Sequence, residues 1–143
     1  MSIRIAIGSD HAGFELKQQV IDYLSESYLL LDKGCYNSER ADYADYGHLV
    51  ASAVVNSDVR FGILMCGSGN GINMSANKHK GIRAALCWNA EIAVLARQHN
   101  DANILVLPAR YISFEDAKKC VDAFLREQFE GGRHLQRIQK IDV

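Results

Sequence analysis

Short runs of apolar and β-branched residues alternate with longer amphipathic stretches along nearly the whole chain. The strand-like runs lie at residues 3–8, 28–34, 61–66, 82–87 and 103–107. The helix-like stretches lie at residues 14–27, 46–56, 72–78, 90–99 and 113–128. Because strands that alternate with helices form βαβ units, this rhythm predicts an α/β fold whose five strands make one parallel, doubly wound sheet.

Size and composition predict a single compact domain over residues 1–143. The 143 residues are 48% hydrophobic, which is enough apolar material for one continuous core. The net charge of −1 provides no basic field for binding nucleic acid or an anionic membrane. The N-terminus lacks a signal-peptide pattern and no apolar run reaches the roughly 18 residues of a membrane span, so we expect a cytoplasmic protein. Four cysteines without CxxC spacing predict neither a zinc site nor a redox pair.

Polar residues follow the first and third predicted strands directly. Residues 9–13 are Ser-Asp-His-Ala-Gly, and residues 66–71 are Cys-Gly-Ser-Gly-Asn-Gly. In a doubly wound sheet of strand order 2-1-3-4-5, the connections after strands 1 and 3 diverge and open a crevice in which ligands bind. For that strand order, we predict that these two segments form the functional site.

Cys66 closes the apolar third strand and stands at the start of a glycine-rich turn. A free thiol has a pKa of ~8.5, and a helix N-terminus can draw that pKa toward neutrality. Cys66 is then a usable general base or nucleophile. The alternative is a small core residue, because a cysteine at the end of an apolar strand is often only buried.

The turn after Cys66 predicts an anion-binding nest. It lacks the lysine of a P-loop and the spacing of GxGxxG, so it matches neither common type of nucleotide site. Backbone N–H groups and a hydroxyl can stabilise an oxyanion there, and the donors are those of Gly67, Ser68, Gly69, Asn70 and Gly71. The alternative is a tight strand-to-helix connection that needs glycine for its backbone dihedrals.

Asp10 and His11 follow the first strand and lie at the predicted crevice. A carboxylate at that place can orient sugar hydroxyls, and an imidazole can bind phosphate or move protons. A plain helix N-cap is the alternative for Asp10. Two other histidines, His48 and His79, are interpreted as solvent-facing residues.

The C-terminal part of the chain carries a second group of polar candidates. His99 and Asn100 close the fourth predicted helix, where a histidine can simply complement the helix dipole. Arg110, Arg133 and Arg137 can be solvated surface charges, or they can grip a phosphate dianion. The last two arginines are four residues apart and share one face if the tail is helical. A tail that binds a ligand has to dock, for example on a second subunit.

Together these residues resemble a known family. The matching segments are Ser9 through Gly13, Asp42-Tyr43, Cys66 through Gly71, Ala76-Asn77-Lys78, His99-Asn100 and Gly132 through Arg137. Over nearly its whole length, the chain resembles the ribose-5-phosphate isomerase B family, which also includes galactose-6-phosphate and allose-6-phosphate isomerases. The resemblance implies a Rossmann-like three-layer αβα sandwich that works as an aldose-ketose isomerase without metal or cofactor. It also implies a homodimer or a dimer of dimers with shared active sites.

The resemblance assigns catalytic roles to individual residues. His99 helps to open the furanose ring, while Asp10 and Tyr43 contact the sugar. Cys66 moves the proton between C1 and C2, and the turn of residues 67–71 stabilises the cis-enediolate. Some family members instead use a carboxylate at the position of Ser75. Because a serine cannot serve as that base, the assignment of Cys66 is strengthened.

The resemblance also implies where the phosphate binds. Its ligands are His11, Arg110, Arg133 and Arg137, with Asn100 beside them. The partner chain supplies His99, Asn100 and the arginines, which implies that a tail of residues 129–143 docks on the other subunit. On this basis the distant arginines become phosphate ligands instead of surface charges.

The leading hypothesis is reversible isomerisation of ribose 5-phosphate and ribulose 5-phosphate, a reaction of the pentose phosphate pathway. An allose-6-phosphate or galactose-6-phosphate isomerase is the alternative within enzymes, and a non-catalytic sugar-phosphate-binding module is the alternative outside them. Three positions depart from the family pattern: Ser68 replaces threonine, Ala44 replaces proline and Pro108 replaces glycine. Since Ala44 can loosen the loop of Tyr43, the sequence defines the reaction better than the sugar.

Overall fold

The computed structural model describes residues 2–143 and contains five parallel strands in one sheet. The strands are β1 Arg4–Ser9, β2 Leu29–Asp32, β3 Phe61–Cys66, β4 Ala84–Leu86 and β5 Ile104–Pro108. The helices are α1 Phe14–Leu24, α2 Tyr43–Val55, α3 Asn70–Ala76, α4 Ala90–Asn100, α5 Phe114–Arg126 and α6 Arg133–Ile138. A single 3-10 turn, His11–Gly13, precedes α1. The predicted α/β class with five parallel strands is confirmed.

The strands lie in the order β2-β1-β3-β5-β4, which differs in the last two strands from the order 2-1-3-4-5 that the crevice argument assumed. Gly62 of β3 lies opposite Ile104 of β5, and β4 occupies the edge beside β5. Every residue of β5 is buried, whereas the residues of β4 are half-buried. A strand that is apolar on both faces belongs inside a parallel sheet. β1 and β3 are neighbours, and the helices that follow them, α1 and α3, lie on opposite faces of the sheet. This is the arrangement on which the predicted crevice depends.

Helices cover both faces of the sheet and complete a three-layer αβα sandwich. One face packs against α1, α4 and α5 through residues such as Leu16, Val20, Ala93, Val121 and Phe124. The other face packs against α2 and α3 through residues such as Val50, Ala51, Ile72 and Ala76. Successive strand residues point to opposite faces, so Met65 lies in the first cluster and Cys66 in the second. The thiol of Cys66 is therefore on the α2 and α3 side of the sheet.

Two helices begin at side-chain caps that the sequence shows. Ser113 Oγ accepts a hydrogen bond from the Asp116 N–H at 3.1 Å, which caps α5. Asn89 Oδ1 accepts from the Ile92 N–H at 3.0 Å, which caps α4 in the same way. These caps satisfy backbone donors that have no partner within the first turn of a helix.

The C-terminal tail ends in the short helix α6. Gly131 and Gly132 precede it with φ angles of 70° and 56°, a backbone region that favours glycine. Helix α6 places Arg133 and Arg137 four residues apart, on one face of the helix, as the sequence predicts. Both arginines are exposed.

No helix of the described chain has the length of a membrane span. The longest helices, α2 and α5, have 13 residues each. A helix needs about 20 apolar residues to cross the hydrocarbon core of a bilayer. Within residues 2–143 there is accordingly no membrane-spanning helix.

Candidate active site

The connection after β1 packs directly against the end of β3. A Cβ atom built on Gly13 would lie 2.5 Å from the carbonyl oxygen of Met65, so only glycine permits this approach. Asp10 is buried, and its Oδ1 accepts a hydrogen bond from the Gly13 N–H at 3.1 Å. Asp10 is therefore an N-cap, which was the alternative interpretation for it. The Asp10 carboxylate also lies near enough to Cys66 for its negative charge to raise the pKa of that thiol.

Cys66 lies at the end of β3 and is only 4% exposed. Burial raises the pKa of its thiol above the ordinary value, since a thiolate is poorly solvated there. The backbone N–H groups of Ile72, Gly69 and Gly71 act in the opposite direction by donating toward the sulfur. Burial therefore outweighs the effect of the helix N-terminus, which was expected to draw the pKa of Cys66 toward neutrality.

The turn after Cys66 has a backbone that requires glycine at its centre. Gly69 has a φ angle of 82°, and a Cβ atom on it would overlap the side chain of Leu86. Ser68 Oγ accepts a hydrogen bond from the Asn70 N–H at 3.2 Å, at the start of α3. The interpretation as a tight connection is therefore correct for Gly69. The same geometry turns several N–H groups toward the sulfur, so the turn also has the donors of an anion nest.

Two further predicted site residues flank this turn. Tyr43 is the first residue of α2, and a Cβ atom on Gly71 would overlap its ring, so the phenol lies over the turn. His11 Nδ1 lies 3.1 Å from both the N and the O of Ala41, in the loop that leads to α2. No hydrogen bond within the described residues uses His11 Nε2, so this nitrogen is available to a ligand.

Arg110 lies at the same turn of its own chain. Its backbone N–H donates to the Gly67 carbonyl at 3.0 Å. A Cβ atom on Gly67 would lie 3.3 Å from Arg110 Nη1 and 3.7 Å from the Cβ of Ala12. The guanidinium thus lies close to the residue that follows His11. The resemblance implies that the arginines come from the partner chain, whereas Arg110 also lies beside the turn of its own chain.

His48 is exposed, as interpreted, whereas His79 is half-buried. His48 Nδ1 lies 2.7 Å from His79 Nε2, which joins α2 to the loop after α3. Burial lowers the pKa of His79, and the neighbouring His48 lowers it further. A hydrogen bond between two imidazoles needs one ring nitrogen without a proton, so the pair is stable when at least one ring is neutral.

The remaining predicted site residues lie at the opposite edge of the sheet. His99 and Asn100 end α4, which runs back from the carboxyl end of β4 to the amino end of β5. Arg83, which precedes β4, donates from Nε to the Asn100 carbonyl at 2.9 Å. The segment before α6 approaches the same region, because the Glu130 N–H donates to the Gln98 carbonyl at 3.0 Å.

The predicted site is thus divided between two edges of one chain. The carboxyl edge holds the thiol, its neighbouring turn and four side chains around it, namely Asp10, His11, Tyr43 and Arg110. The amino edge holds His99, Asn100, Arg133 and Arg137. Helix α4 has 11 residues, which corresponds to roughly 16 Å at 1.5 Å per residue. The two groups therefore do not meet within a single subunit.

One group of three potential metal ligands is present among residues 2–143. The ligand atoms of His99, Glu130 and His134 all lie within 4.8 Å of one another. However, the rings of His99 and His134 are stacked, with centroids 4.2 Å apart and planes 13° from parallel. An ion bonded to an imidazole nitrogen lies near the plane of the ring, and two parallel rings have no such position in common. In this arrangement the group does not fit a metal ion.

A family model described as Ribose/Galactose Isomerase matches residues 5–141 of the chain. The chain is also 48% identical over 139 residues to ribose-5-phosphate isomerase B of Escherichia coli, which covers 96% of this chain and 93% of that protein. The chain belongs to this isomerase family. The resemblance inferred from the motifs is therefore confirmed.

Solved structures of family members have the same fold. A ribose 5-phosphate isomerase from Thermotoga maritima matches with a TM-score of 0.97 at 50% identity, covering 99% of each chain. Ribose-5-phosphate isomerase B from Mycoplasma genitalium, solved with bound ribulose-5-phosphate, matches with a TM-score of 0.92 at 46% identity. That match covers 99% of this chain and 95% of the other. The family fold therefore extends over nearly the entire chain.

Sequence reasoning missed two features of the site. The first is the contact between His11 and the backbone of Ala41, for which the sequence has no signal because it joins positions 30 residues apart. The second is the group around His99, where Glu130 Oε1 lies 3.8 Å from His99 Nε2 and 3.6 Å from His134 Nε2. The sequence does contain a signal for the contact between Glu130 and His134, since residues four apart can face each other at a helix end.

Proposed function

We propose that this chain interconverts ribose 5-phosphate and ribulose 5-phosphate as an aldose-ketose isomerase. The observation that carries the proposal is a buried thiol at the end of β3, faced by the backbone N–H groups of Gly69, Gly71 and Ile72. Relatives named ribose-5-phosphate isomerase B from Escherichia coli and Mycoplasma genitalium support it, the latter with bound ribulose-5-phosphate. The pathway is the pentose phosphate pathway, and the expected compartment is the cytoplasm.

The chemical step is a proton transfer between two carbons. In the open-chain aldose, the Cys66 thiolate takes the proton from C2, and the electrons of that C–H bond form a cis-enediolate. The thiol then returns the proton to C1, while the hydrogen of the C2 hydroxyl passes to O1, which leaves a ketone at C2. The N–H groups of Gly69 and Gly71 and the Ser68 hydroxyl stabilise the negative oxygen. A group that moves such a proton typically contributes about a hundredfold or more.

The thiolate has to be formed before this step. Burial and the charge of Asp10 favour the protonated thiol, whereas the backbone N–H groups favour the thiolate. Because activity requires the deprotonated form, the rate rises with pH through the elevated pKa of Cys66. Asp10 thus has two opposing effects on activity. It favours turnover by orienting the sugar hydroxyls, and it disfavours turnover by reducing the fraction of Cys66 that is thiolate.

The phosphate is bound at the edge of the same crevice. His11 Nε2 and the Arg110 guanidinium are the ligands from the chain that carries Cys66. Arg133 and Arg137 come from α6 of a second copy, with Asn100 beside them and His99 opening the furanose ring. The separation of these residues from Cys66 within one chain supports a homodimer or a dimer of dimers with shared sites. In that assembly residues 129–143 dock on the partner.

Solvent exchange tests the proposal against its alternatives. The purified chain is incubated in D2O with ribose 5-phosphate, allose 6-phosphate or galactose 6-phosphate, and proton NMR follows the C1 and C2 positions. We expect conversion of ribose 5-phosphate with deuterium incorporation at these carbons. Faster turnover of either hexose phosphate would replace the proposed substrate, and binding without exchange would identify a sugar-phosphate-binding module.

A further inference from the structure

Lys17 on α1 is a charged side chain buried in the interior. Its side chain is 0% exposed, and Nζ lies 2.6 Å from Asp32 Oδ1 at the end of β2. The aromatic rings of Phe14 and Tyr36 lie 5.5 Å and 5.7 Å from the same nitrogen. Lysines are almost never fully buried without a partner, and a buried ion pair is often no more stabilising than an apolar pair of similar volume. Stability alone therefore gives weak grounds for a lysine at this position.

The carboxylate that binds Lys17 also binds the backbone of the next loop. Asp32 Oδ1 accepts a second hydrogen bond from the Gly34 N–H at 2.9 Å. The Gly34 carbonyl accepts from the Ser9 N–H at 2.7 Å, and the Cys35 N–H donates to the Ser9 carbonyl at 2.8 Å. The residue directly after Ser9 is the site carboxylate. Lys17 is thus connected to the end of β1 through Asp32 and Gly34.

The loop of residues 33–42, called here the support loop, contacts two more site residues. Its Ala41 backbone holds the His11 imidazole at 3.1 Å. Tyr43 follows the support loop directly and places its ring over Gly71. One loop therefore adjoins three predicted site residues, and its first turn is held by Asp32. The Tyr36 hydroxyl strengthens that turn by donating to the Asp32 carbonyl at 3.1 Å.

We propose that Lys17 and Asp32 are positioning residues for the sugar-phosphate site. They hold the support loop so that Asp10, His11 and Tyr43 keep the geometry that binding and proton transfer require. The charge of Lys17 fixes the Asp32 carboxylate, and this carboxylate fixes Gly34 and through it the end of β1. The effect on catalysis rests on the proposed isomerase function, whereas the effect on the support loop does not.

The first test is Lys17→Met, which removes the charge and keeps a long apolar side chain. We expect kcat/KM for ribose 5-phosphate to fall by about tenfold to a hundredfold, the usual range for misplacement by a fraction of an ångström to one ångström. Most of the change should be in KM, because His11 is a phosphate ligand. The matched control is Val20→Ala, which opens a cavity on the same helix, away from Asp32. It should lower Tm while kcat/KM stays within about twofold.

A second readout is independent of turnover. The His11 Nδ1 nitrogen resonance, measured by 15N NMR, reports its hydrogen bond to Ala41. We expect it to move in Lys17→Met and to stay unchanged in Val20→Ala. If the wild-type chain does not isomerise ribose 5-phosphate, the proposed function fails, yet this resonance still decides whether Lys17 positions the support loop.

Asp32→Asn keeps the proposal testable if Lys17→Met does not fold. This nearly isosteric change keeps an acceptor for Gly34 but removes the charge that attracts Lys17. We expect a smaller loss in kcat/KM, about threefold to tenfold, with the same movement of the His11 resonance. A folded variant with unchanged kcat/KM and an unchanged His11 resonance would show that the ion pair is merely structural, and the proposal would be overturned.

Discussion

The two edges of the sheet carry equally polar residues but hold them in different ways. At the carboxyl edge, Asp10 and Cys66 are buried. Gly13 and Gly69 allow the chain around them to pack closely, because a Cβ atom at either position would overlap its neighbours. At the amino edge, Arg133 and Arg137 are exposed on a six-residue helix. A pre-organised reaction centre needs fixed donors, whereas a phosphate clamp can close when its ligand or its subunit arrives. The difference agrees with the proposed function, in which proton transfer takes place at the first edge and the second edge supplies phosphate ligands.

The largest expected effect is at the reaction centre. Cys66→Ala should lower kcat for ribose 5-phosphate by at least about a hundredfold, because the group that moves the proton is lost. The measurement is steady-state turnover on protein whose fold is verified by circular dichroism. Cys87→Ala is the matched control, since Cys87 is also fully buried but belongs to the other core cluster. Substantially retained turnover in a folded Cys66→Ala protein would exclude this thiol as the base.

The next effect concerns the amino edge. The double variant Arg133→Ala/Arg137→Ala should raise KM by about tenfold or more with a smaller change in kcat, because charge-assisted hydrogen bonds to the phosphate are lost. Steady-state kinetics across substrate concentration separates the two parameters. An exposed arginine elsewhere provides the control, and Arg126→Ala in the last turn of α5 should leave KM unchanged.

Mixing the two impaired proteins tests whether the edges meet across subunits. Equal amounts of Cys66→Ala and the double arginine variant, allowed to exchange subunits, form mixed dimers in half of the population. Each mixed dimer has one intact shared site, so activity at low substrate should recover to about a quarter of the wild-type value. No recovery after verified exchange would place both edges of a site in the same chain.

The smallest effect is a displacement of the pH profile. The Asp10 charge raises the pKa of Cys66, so Asp10→Asn should lower that pKa. Since the thiolate is the active form, the rising limb of kcat/KM against pH should move to lower pH, even though the absolute rate falls. Glu115→Gln, a change on the exposed N-terminal turn of α5, should leave the limb in place. A shift to higher pH in Asp10→Asn would contradict the assignment of the limb to Cys66.

Local patterns predicted the elements well because they act over a few residues. The alternation of strands and helices follows from hydrophobic periodicity, which can be read directly along the chain. The order of β4 and β5 did not follow, because both segments are apolar. Their pairing depends on which strand can bury both of its faces, and this is a property of the assembled sheet.

The reaction centre shows the same limit. The sequence placed Cys66 before a glycine turn and indicated a favourable helix terminus, but it did not contain the depth of burial that raises the pKa of the thiol. Nor did it place Arg110 beside Gly67 in its own chain, since that contact depends on β5 lying next to β3. The burial of Cys66 and the contact between Arg110 and Gly67 both depend on neighbours that are distant along the chain.

By itself the sequence determined the family, the α/β class and the set of candidate residues, because these depend on motifs and periodicities that can be read along the chain. Only the tertiary structure decided how those residues are grouped, with Cys66, Asp10 and Arg110 at one edge of the sheet and His99 at the other. The physical reason is the direction of the crossover helices. In each βα unit, the loop after the strand lies at the carboxyl edge of the sheet and the end of the following helix lies at the amino edge. Residues in such a loop and residues at such a helix end are therefore separated by the length of a helix.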